Sequence, residues 1–511
     1  MSRIVFRTAR RRSALLGLVA ALLAAVPVAA AEPSSIGPST GTEPYVLPSL
    51  PGVSTTSILT VGDTVGGYPM VGIPDGLGAF DNHDGQPGRG GRDNAGTFTL
   101  LMNHEIGPAQ GAVHDHGATG AFISRWVINK GDLSVVSGED QIKTVYTQNE
   151  MTGAFSVAPA YAFNRFCSAD LASQTAFWNP ATGLGTQDMI YLNGEENRPP
   201  FGAYGKAWAH VVSGPLNGTT YELNDVGEAS WENVIASPYA QDTTIVMGLD
   251  DATNRLPGAD YDPTNPPSEV YVYIGQKQRT GTPIERAGLA TGELFGVKVT
   301  GDPTEATVAG GERFTLSSHG DAAQDDGELL QAESAADGVT QFRRVEDGHW
   351  DPARPNDFYF TTTDTFGGTT RLFRLRFDDI TDPNPGGRID IVVDSGPIVP
   401  GEMFDNMTVD DAGARALLQE DPGGNDYLAR IWQSSFLNGK LTELAHHNPE
   451  FFAPGGSSFL TNNEESSGII DVSRILGPGW FLLDVQAHYA LDPTLVEGGQ
   501  LLALRAPQAG R

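Results

Sequence analysis

Five acidic motifs sit at or beside strand-like runs of a 511-residue chain that has one cysteine. They are Glu195-Glu196, Trp231-Glu232, Glu346-Asp347, Glu420-Asp421 and Glu464-Glu465. The runs behind four of them, residues 189–192, 341–345, 416–419 and 458–461, read as strands. A strand that ends in adjacent carboxylates gives up favourable packing unless something neutralises the charge. Hard cations do so, taking about six to eight oxygen ligands at short range. The fold must therefore let strand ends far apart in the chain meet, and the meeting point reads as a multi-metal site.

The rest of the chain supplies such a fold. Short apolar or alternating runs, among them 97–102, 243–249, 269–274, 294–299, 358–363, 371–377 and 389–393, are cut by Gly, Pro, Asn and Asp. Period-two alternation marks them as strands, and 62 Gly and 34 Pro fit a turn-rich all-β chain with hardly any amphipathic helix. A loose strand–turn–strand pattern recurs with no strict repeat. It predicts an all-β fold, a six-bladed β-propeller with insertions in its connections, in which each blade's innermost strand delivers its end to one axial funnel. A pair of β-sandwiches is the rival architecture. The expected organisation is a signal peptide over 1–31, a flexible N-terminal segment over 32–56 rich in Pro, Ser, Thr and Gly, and a single propeller domain over 57–511.

Arg10-Arg11-Arg12, then an Ala- and Leu-rich stretch and a small-residue cleavage pattern at residues 28–31, read as an export signal. Arg11-Arg12-x-x-Leu15 loosely resembles a twin-arginine signal. The expected location is secreted or periplasmic, with no stable membrane span after signal cleavage. Sixty-three Asp and Glu against 32 Lys and Arg give a net charge of −31, and residues 1–31 hold five Arg and no acid. The rest is more acidic still and repels nucleic acid. With one cysteine no internal disulfide framework exists, so Cys167 is a buried small hydrophobe or a thiol kept for chemistry.

Several motifs carry two readings. Asn103-His104-Glu105 follows a strand and caps a turn or binds a metal. His114-Asp115-His116 lies in a Gly-rich loop and reads as solvated loop before metal site. Asp250-Asp251 through Asp260 and Asp262 lacks regular calcium-loop spacing and reads as a solvated turn. No H-E-x-x-H or G-x-S-x-G is present, so zincin and α/β-hydrolase readings have no support. Arg344 stands two residues before Glu346, on the same face if both lie in one strand. It is an internal ion pair or an anion clamp, since a guanidinium grips phosphate oxygens bidentately.

Taken in order, the motifs resemble the PhoX-type alkaline phosphatases. The matching residues are Asn103-His104-Glu105, Cys167 ahead of Asn193-Gly194-Glu195-Glu196, Trp231-Glu232, Arg344-x-Glu346-Asp347-Gly348, Asp405-Asn406-x-Thr-Val with Glu420-Asp421, and Glu465-x-x-Gly468 with Asp484-Val-Gln486. Gly194 and residues 482–485 depart from the family's usual pattern. The resemblance spans about residues 95–490 and implies a propeller funnel holding iron (Fe3+) and calcium (Ca2+). It also implies phosphomonoester hydrolysis after twin-arginine export. On that basis the metal ligands are Cys167, Glu195, Glu232, Glu346, Glu420 and Glu465, joined by Glu105, Asp347 and Asp421, and Arg344 holds the phosphate. A thiolate beside carboxylates suits iron, and carboxylate-only positions suit calcium. Two further readings stand beside this one: another metal-dependent hydrolase (phytase, phosphodiesterase or lactonase type), and a non-catalytic calcium-stabilised binding propeller.

Overall fold

The computed structural model describes residues 34–83, 96–252, 267–324, 326–396 and 399–508. The expected signal peptide over 1–31, and Asp260 and Asp262, lie outside these. Six strands organise the molecule: β1 (Pro74–Asp81), β2 (Phe166–Leu171), β3 (Trp231–Ala236), β4 (Val345–Trp350), β5 (Phe404–Val409) and β6 (Glu464–Asp471). Each is the edge of its sheet, and from each the chain runs outward through antiparallel strands. β1 packs on β2, β2 on β3, and so on through β6, which packs back on β1. The contacts form a closed ring, so residues hundreds of positions apart share one axis.

The chain ends close the ring. Ser54–Thr60 pairs antiparallel with Glu497–Arg505, the third strand of the sheet that β6 begins. Joining the two termini in one sheet ties the ring shut, because it cannot open without breaking that ladder. Ser35–Ile36 pairs with Ser54–Thr60, and Val46–Pro48 with Leu441–His447. The described part of the expected flexible segment is thus built into two sheets. Its Pro- and Ser-rich composition hid the edge-strand pairing of Val46–Pro48, whose Val46 is fully buried.

Between the sheets lie apolar layers, such as Trp231, Tyr271, Tyr273 and Leu294 on one side of β3 and Phe342, Phe358, Phe360 and Phe373 beside β4. Each such side chain adds about 1.5–3 kcal/mol on burial. One helix, α1 (Gly327–Asp337), has Asp326 capping its start through Leu329 N and Gly338 in the left-handed region at its end. Its inward face includes Gln331 and Ser334, which bond Asp250 and Tyr271. A helix docked by polar groups leaves no apolar stripe in the sequence.

Candidate functional site

The second residue of each ring strand points to one shared place. These residues are Asp75, Cys167, Glu232, Glu346, Asp405 and Glu465. In β1 to β5 the pairing register shifts at or next to this position, between Asp75 and Leu77, Phe166 and Ala169, Trp231 and Asn233, Val345 and Gly348, and Phe404 and Met407. A bulge there re-aims a side chain that a regular ladder would hold within the pleat.

The neighbouring strand of each sheet arrives at the same end. The first residues of β1 to β6 pair with His104, Glu195, Asp250, Thr362, Glu420 and Ala487. The residues after those partners are Glu105, Glu196, Asp251, Thr363, Asp421 and His488. Two tiers of polar side chains thus ring the axis. Ligand atoms of Asp75, Glu105 and Cys167 lie within 4.8 Å of one another, as do those of Cys167, Glu196 and Glu232, and those of Glu232, Glu346 and Asp405. Cys167 and Glu232 are each shared, so seven side chains form one unbroken run.

The electrostatics of that run are unfavourable without a cation. Burial, then the charges of Glu105 and Asp484, push Asp75 well above the usual carboxylate range. Burial and then Glu346 do the same to Glu232, and burial followed by Asp75 and Glu105 raises the Cys167 thiol. Glu196 is pushed up to about 8 by burial, against the pull of Arg165. Crowded buried acids cannot all ionise unless they are paired. Glu232 Oε1 is buried with no hydrogen-bond partner. Glu346 Oε1 is 2.8 Å from Arg344 Nη2, yet no N–H is aimed at it in hydrogen-bond geometry. Buried carboxylate oxygens beside a thiol, one of them without a partner, could hold metal ions.

Two guanidiniums face the acids. Arg344 precedes β4 instead of lying in it, with a left-handed φ of 58°. That turn, not strand alternation, brings it to Glu346, and its Nε and Nη2 also grip Asp251 at 3.2 and 2.9 Å. Arg165 precedes β2 in the same way, with φ 47°. Its Nε donates to Glu105 at 2.7 Å and its Nη2 to Glu196 at 2.5 Å. On the far side Glu465 pairs with His488. Burial would raise Glu465, but hydrogen bonds from His488, Asp421 and Ser467 outweigh it and hold the carboxyl below its usual range. Asp421 is pushed up to about 8 by burial and by Glu465.

Of the residues named from sequence, the structure joins Glu105, Cys167, Glu232 and Glu346 in one run and places Asp421 with Glu465. It sets three apart. Glu195 turns into its sheet and accepts from Asn164 N at 2.9 Å and Trp208 Nε1 at 3.3 Å. Glu420 does the same, accepting from Glu402 N, Arg430 N and Trp432 Nε1 at 2.7–2.9 Å. Asp347 accepts from Asn233 Nδ2 and Met407 N. All three brace the loops and strands that shape the funnel, with neutral donors already on their oxygens. Asp75, Glu196, Asp251, Asp405 and Arg165 join the site beyond the residues that the resemblance implies as ligands or clamp. Asp75 follows Pro74 and precedes Gly76, which reads as a turn. Glu196 stands beside Glu195 with nothing in composition to separate the two. In the loop after Glu105, His114 bonds Asp140 at 3.2 Å. Below the ring, Asn406 Nδ2 donates to Ser168 Oγ across the axis, from β5 to β2.

No protein-family model matches the chain, and no curated protein matches it in sequence. Solved structures do match in shape. The structure of Pseudomonas fluorescens PhoX in complex with vanadate, a transition-state analogue, aligns with a TM-score of 0.53 at 13% identity, over 89% of this chain and 95% of that one. The Cps50 (Swd1) β-propeller domain of Myceliophteria thermophila aligns with a TM-score of 0.36 at 8% identity, over 85% and 97%. The periplasmic gluconolactonase PpgL of Pseudomonas aeruginosa aligns with a TM-score of 0.32 at 13% identity, over 81% and 84%. No helix among the described residues is long and apolar enough to cross a membrane. The chain shares an all-β fold with PhoX, and its funnel is a fitting place for metal ions.

Proposed function

We propose that this protein is an exported, metal-dependent phosphatase that hydrolyses phosphomonoesters in the funnel of a six-bladed propeller. Six ring strands, each starting an antiparallel sheet run, support the blade count. The observation that carries the activity is the unbroken run from Asp75 to Asp405 with Cys167 within it and an orphaned Glu232 oxygen. Cys167 with Glu196 and Glu232 would hold iron, and the oxygen-only group of Glu232, Glu346 and Asp405 would hold calcium. Bound there, such cations would activate a water and neutralise phosphoryl oxygens.

The chain's own residues supply the rest. Arg165 and Arg344 stand at the mouth side of the acids, part exposed, with donors for the oxygens of an incoming phosphate. Each is held between two carboxylates, so little side-chain freedom is lost when the anion arrives. The Asn406–Ser168 bridge crosses the axis below the acids. That PhoX was solved with vanadate, a phosphoryl mimic, fits the same reading. The acidic surface disfavours nucleic-acid substrates, and the N-terminal sequence favours a periplasmic or secreted site of action.

The test is turnover of p-nitrophenyl phosphate at alkaline pH by metal-loaded protein, with loss of activity on chelation and competition by inorganic phosphate. Loaded protein that cleaves a lactone or a phosphodiester but no phosphomonoester would replace this reading with another hydrolase. Loaded protein that cleaves none of them would favour a binding propeller.

A further inference from the structure

A third guanidinium stands close to the funnel acids, and unlike the other two it has no acid of its own. Arg198 lies two residues after Glu196, in the connection between the strands Ile190–Glu195 and Gly205–Val211. Among the described residues it makes no ion pair, and its one hydrogen bond runs from Nη1 to the neighbouring Pro199 O at 3.2 Å. Arg165 and Arg344 each meet two carboxylates instead.

The connection holds Arg198 in place. Glu196 N donates to Arg165 O and Gly205 N to Asn197 O, both at 2.9 Å. Phe201 N and Gly202 N donate to Arg198 O at 2.9 and 3.1 Å, which closes a tight turn around Pro199 and Pro200. The guanidinium lies over the Phe201 ring, 5.6 Å from its centroid, although that ring is 80% exposed. An exposed phenyl forgoes burial energy, and here its face holds a cation. The charge also reaches the next sheet. Burial pushes Asp250 up to about 8, and Arg198 is among the groups that pull against it. Asp250 adjoins Asp251, the partner of Arg344. Arg198 therefore stands on the arc from Glu196 to Asp251, between the two ion-paired arginines.

A substrate with a second negative charge must approach a chain of net charge −31. The charges of Arg165 and Arg344 are offset by their own carboxylates. Arg198 offers positive charge that no acid offsets, with guanidinium donors left over. We propose that Arg198 holds an anionic group on the leaving-group side of the ester, so that the preferred substrates are phosphomonoesters whose alcohol carries a second phosphate or a carboxylate. This rests on the reading of the funnel as a phosphatase site and names the esters it takes. Arg165 and Arg344 meet the phosphoryl group that reacts, and Arg198, steadied by Phe201, meets the part that leaves.

Steady-state kinetics on metal-loaded protein test this with alkyl phosphates, ω-carboxyalkyl phosphates and alkanediol bisphosphates of matched length, in a three-carbon and a six-carbon series. An end-charged ester is expected to show a kcat/KM about tenfold above the plain alkyl phosphate, through KM. Arg198→Gln should bring that ratio to about one. The end group preferred tells phosphate from carboxylate. Equal kcat/KM across both series, or a preference that survives in Arg198→Gln, overturns the assignment. Titration with ω-carboxyalkylphosphonates against alkylphosphonates, which are not hydrolysed, separates the subsite from the activity. In protein that turns over no ester, tighter binding of the carboxylated phosphonate that is lost in Arg198→Gln keeps the subsite and sinks the proposed function. Equal binding in such protein sinks both.

Discussion

Arg165 and Arg344 occupy the same place in two different sheets. Each is the residue just before a ring strand, each has a left-handed backbone, and each bridges two acids of the funnel. For Arg165 these are Glu105 and Glu196, and for Arg344 they are Asp251 and Glu346. A non-glycine residue in this region is costly, roughly 1–3 kcal/mol, and such strain persists where the surroundings enforce it. Here it turns each guanidinium off the strand and toward its two acids.

Arg344→Ala is expected to raise KM for a phosphomonoester and to lower kcat while metal content is preserved. The loss should be about 2–4 kcal/mol of transition-state stabilisation, as for other preorganised donors. Arg344→Lys should rescue little, because a point charge cannot replace the bidentate fork. Arg165→Ala should act in the same direction. Steady-state kinetics with parallel metal analysis decide it, and wild-type kinetics in either alanine variant would remove that arginine from substrate binding.

The acidic pairs predict a clean split between neighbours. Glu196→Gln and Glu232→Gln should each lower bound metal and abolish activity. Glu195→Gln and Glu420→Gln should keep the metal and cost stability instead, on the order of 1–3 kcal/mol, through the hydrogen bonds from Trp208 and Trp432. Metal content against urea midpoints for the four variants reads this directly. Metal loss in Glu420→Gln with an unchanged midpoint would contradict the assignment.

How much of this is legible in the sequence follows from those pairs. The strands show through because alternation and Gly/Pro punctuation act locally, and Cys167 stands out because it has no possible partner. Which member of a pair enters the funnel does not show, because adjacent strand residues face opposite ways and the strand's place in the sheet decides. In Glu195-Glu196, Trp231-Glu232, Glu420-Asp421 and Glu464-Glu465 the funnel takes the second residue, set by long-range pairing such as Phe404 with Glu420. Asp75 is hidden for a related reason. Pro74-Asp75-Gly76 has the chemistry of a turn, but pairing with Asn103 and His104 makes it a strand. Arg165 gives no signal at all, since its role depends on a backbone φ.

Metal-free protein should be less stable at alkaline than at mildly acidic pH. Burial, as the largest cause, lifts Glu195 and Glu420 to about 7 and Glu196 and Asp421 to about 8. The folded state then holds protons that the unfolded chain releases near pH 4–5. Stability from these groups is full below that range and is lost as pH rises through about 7 to 8. The Tm of chelated protein should fall between pH 5 and about pH 9, and added calcium should restore most at the alkaline end. A Tm of chelated protein that rises over this interval would show that these four buried acids are not held protonated.

The central claim is that the funnel run is a mixed metal centre with Cys167 at its iron. Elemental analysis of protein purified from its own export route tests it most directly. The account predicts iron together with calcium in the wild type, and in Cys167→Ser a loss of iron with most calcium kept. Calcium alone in the wild type, or iron unchanged in Cys167→Ser, would contradict it.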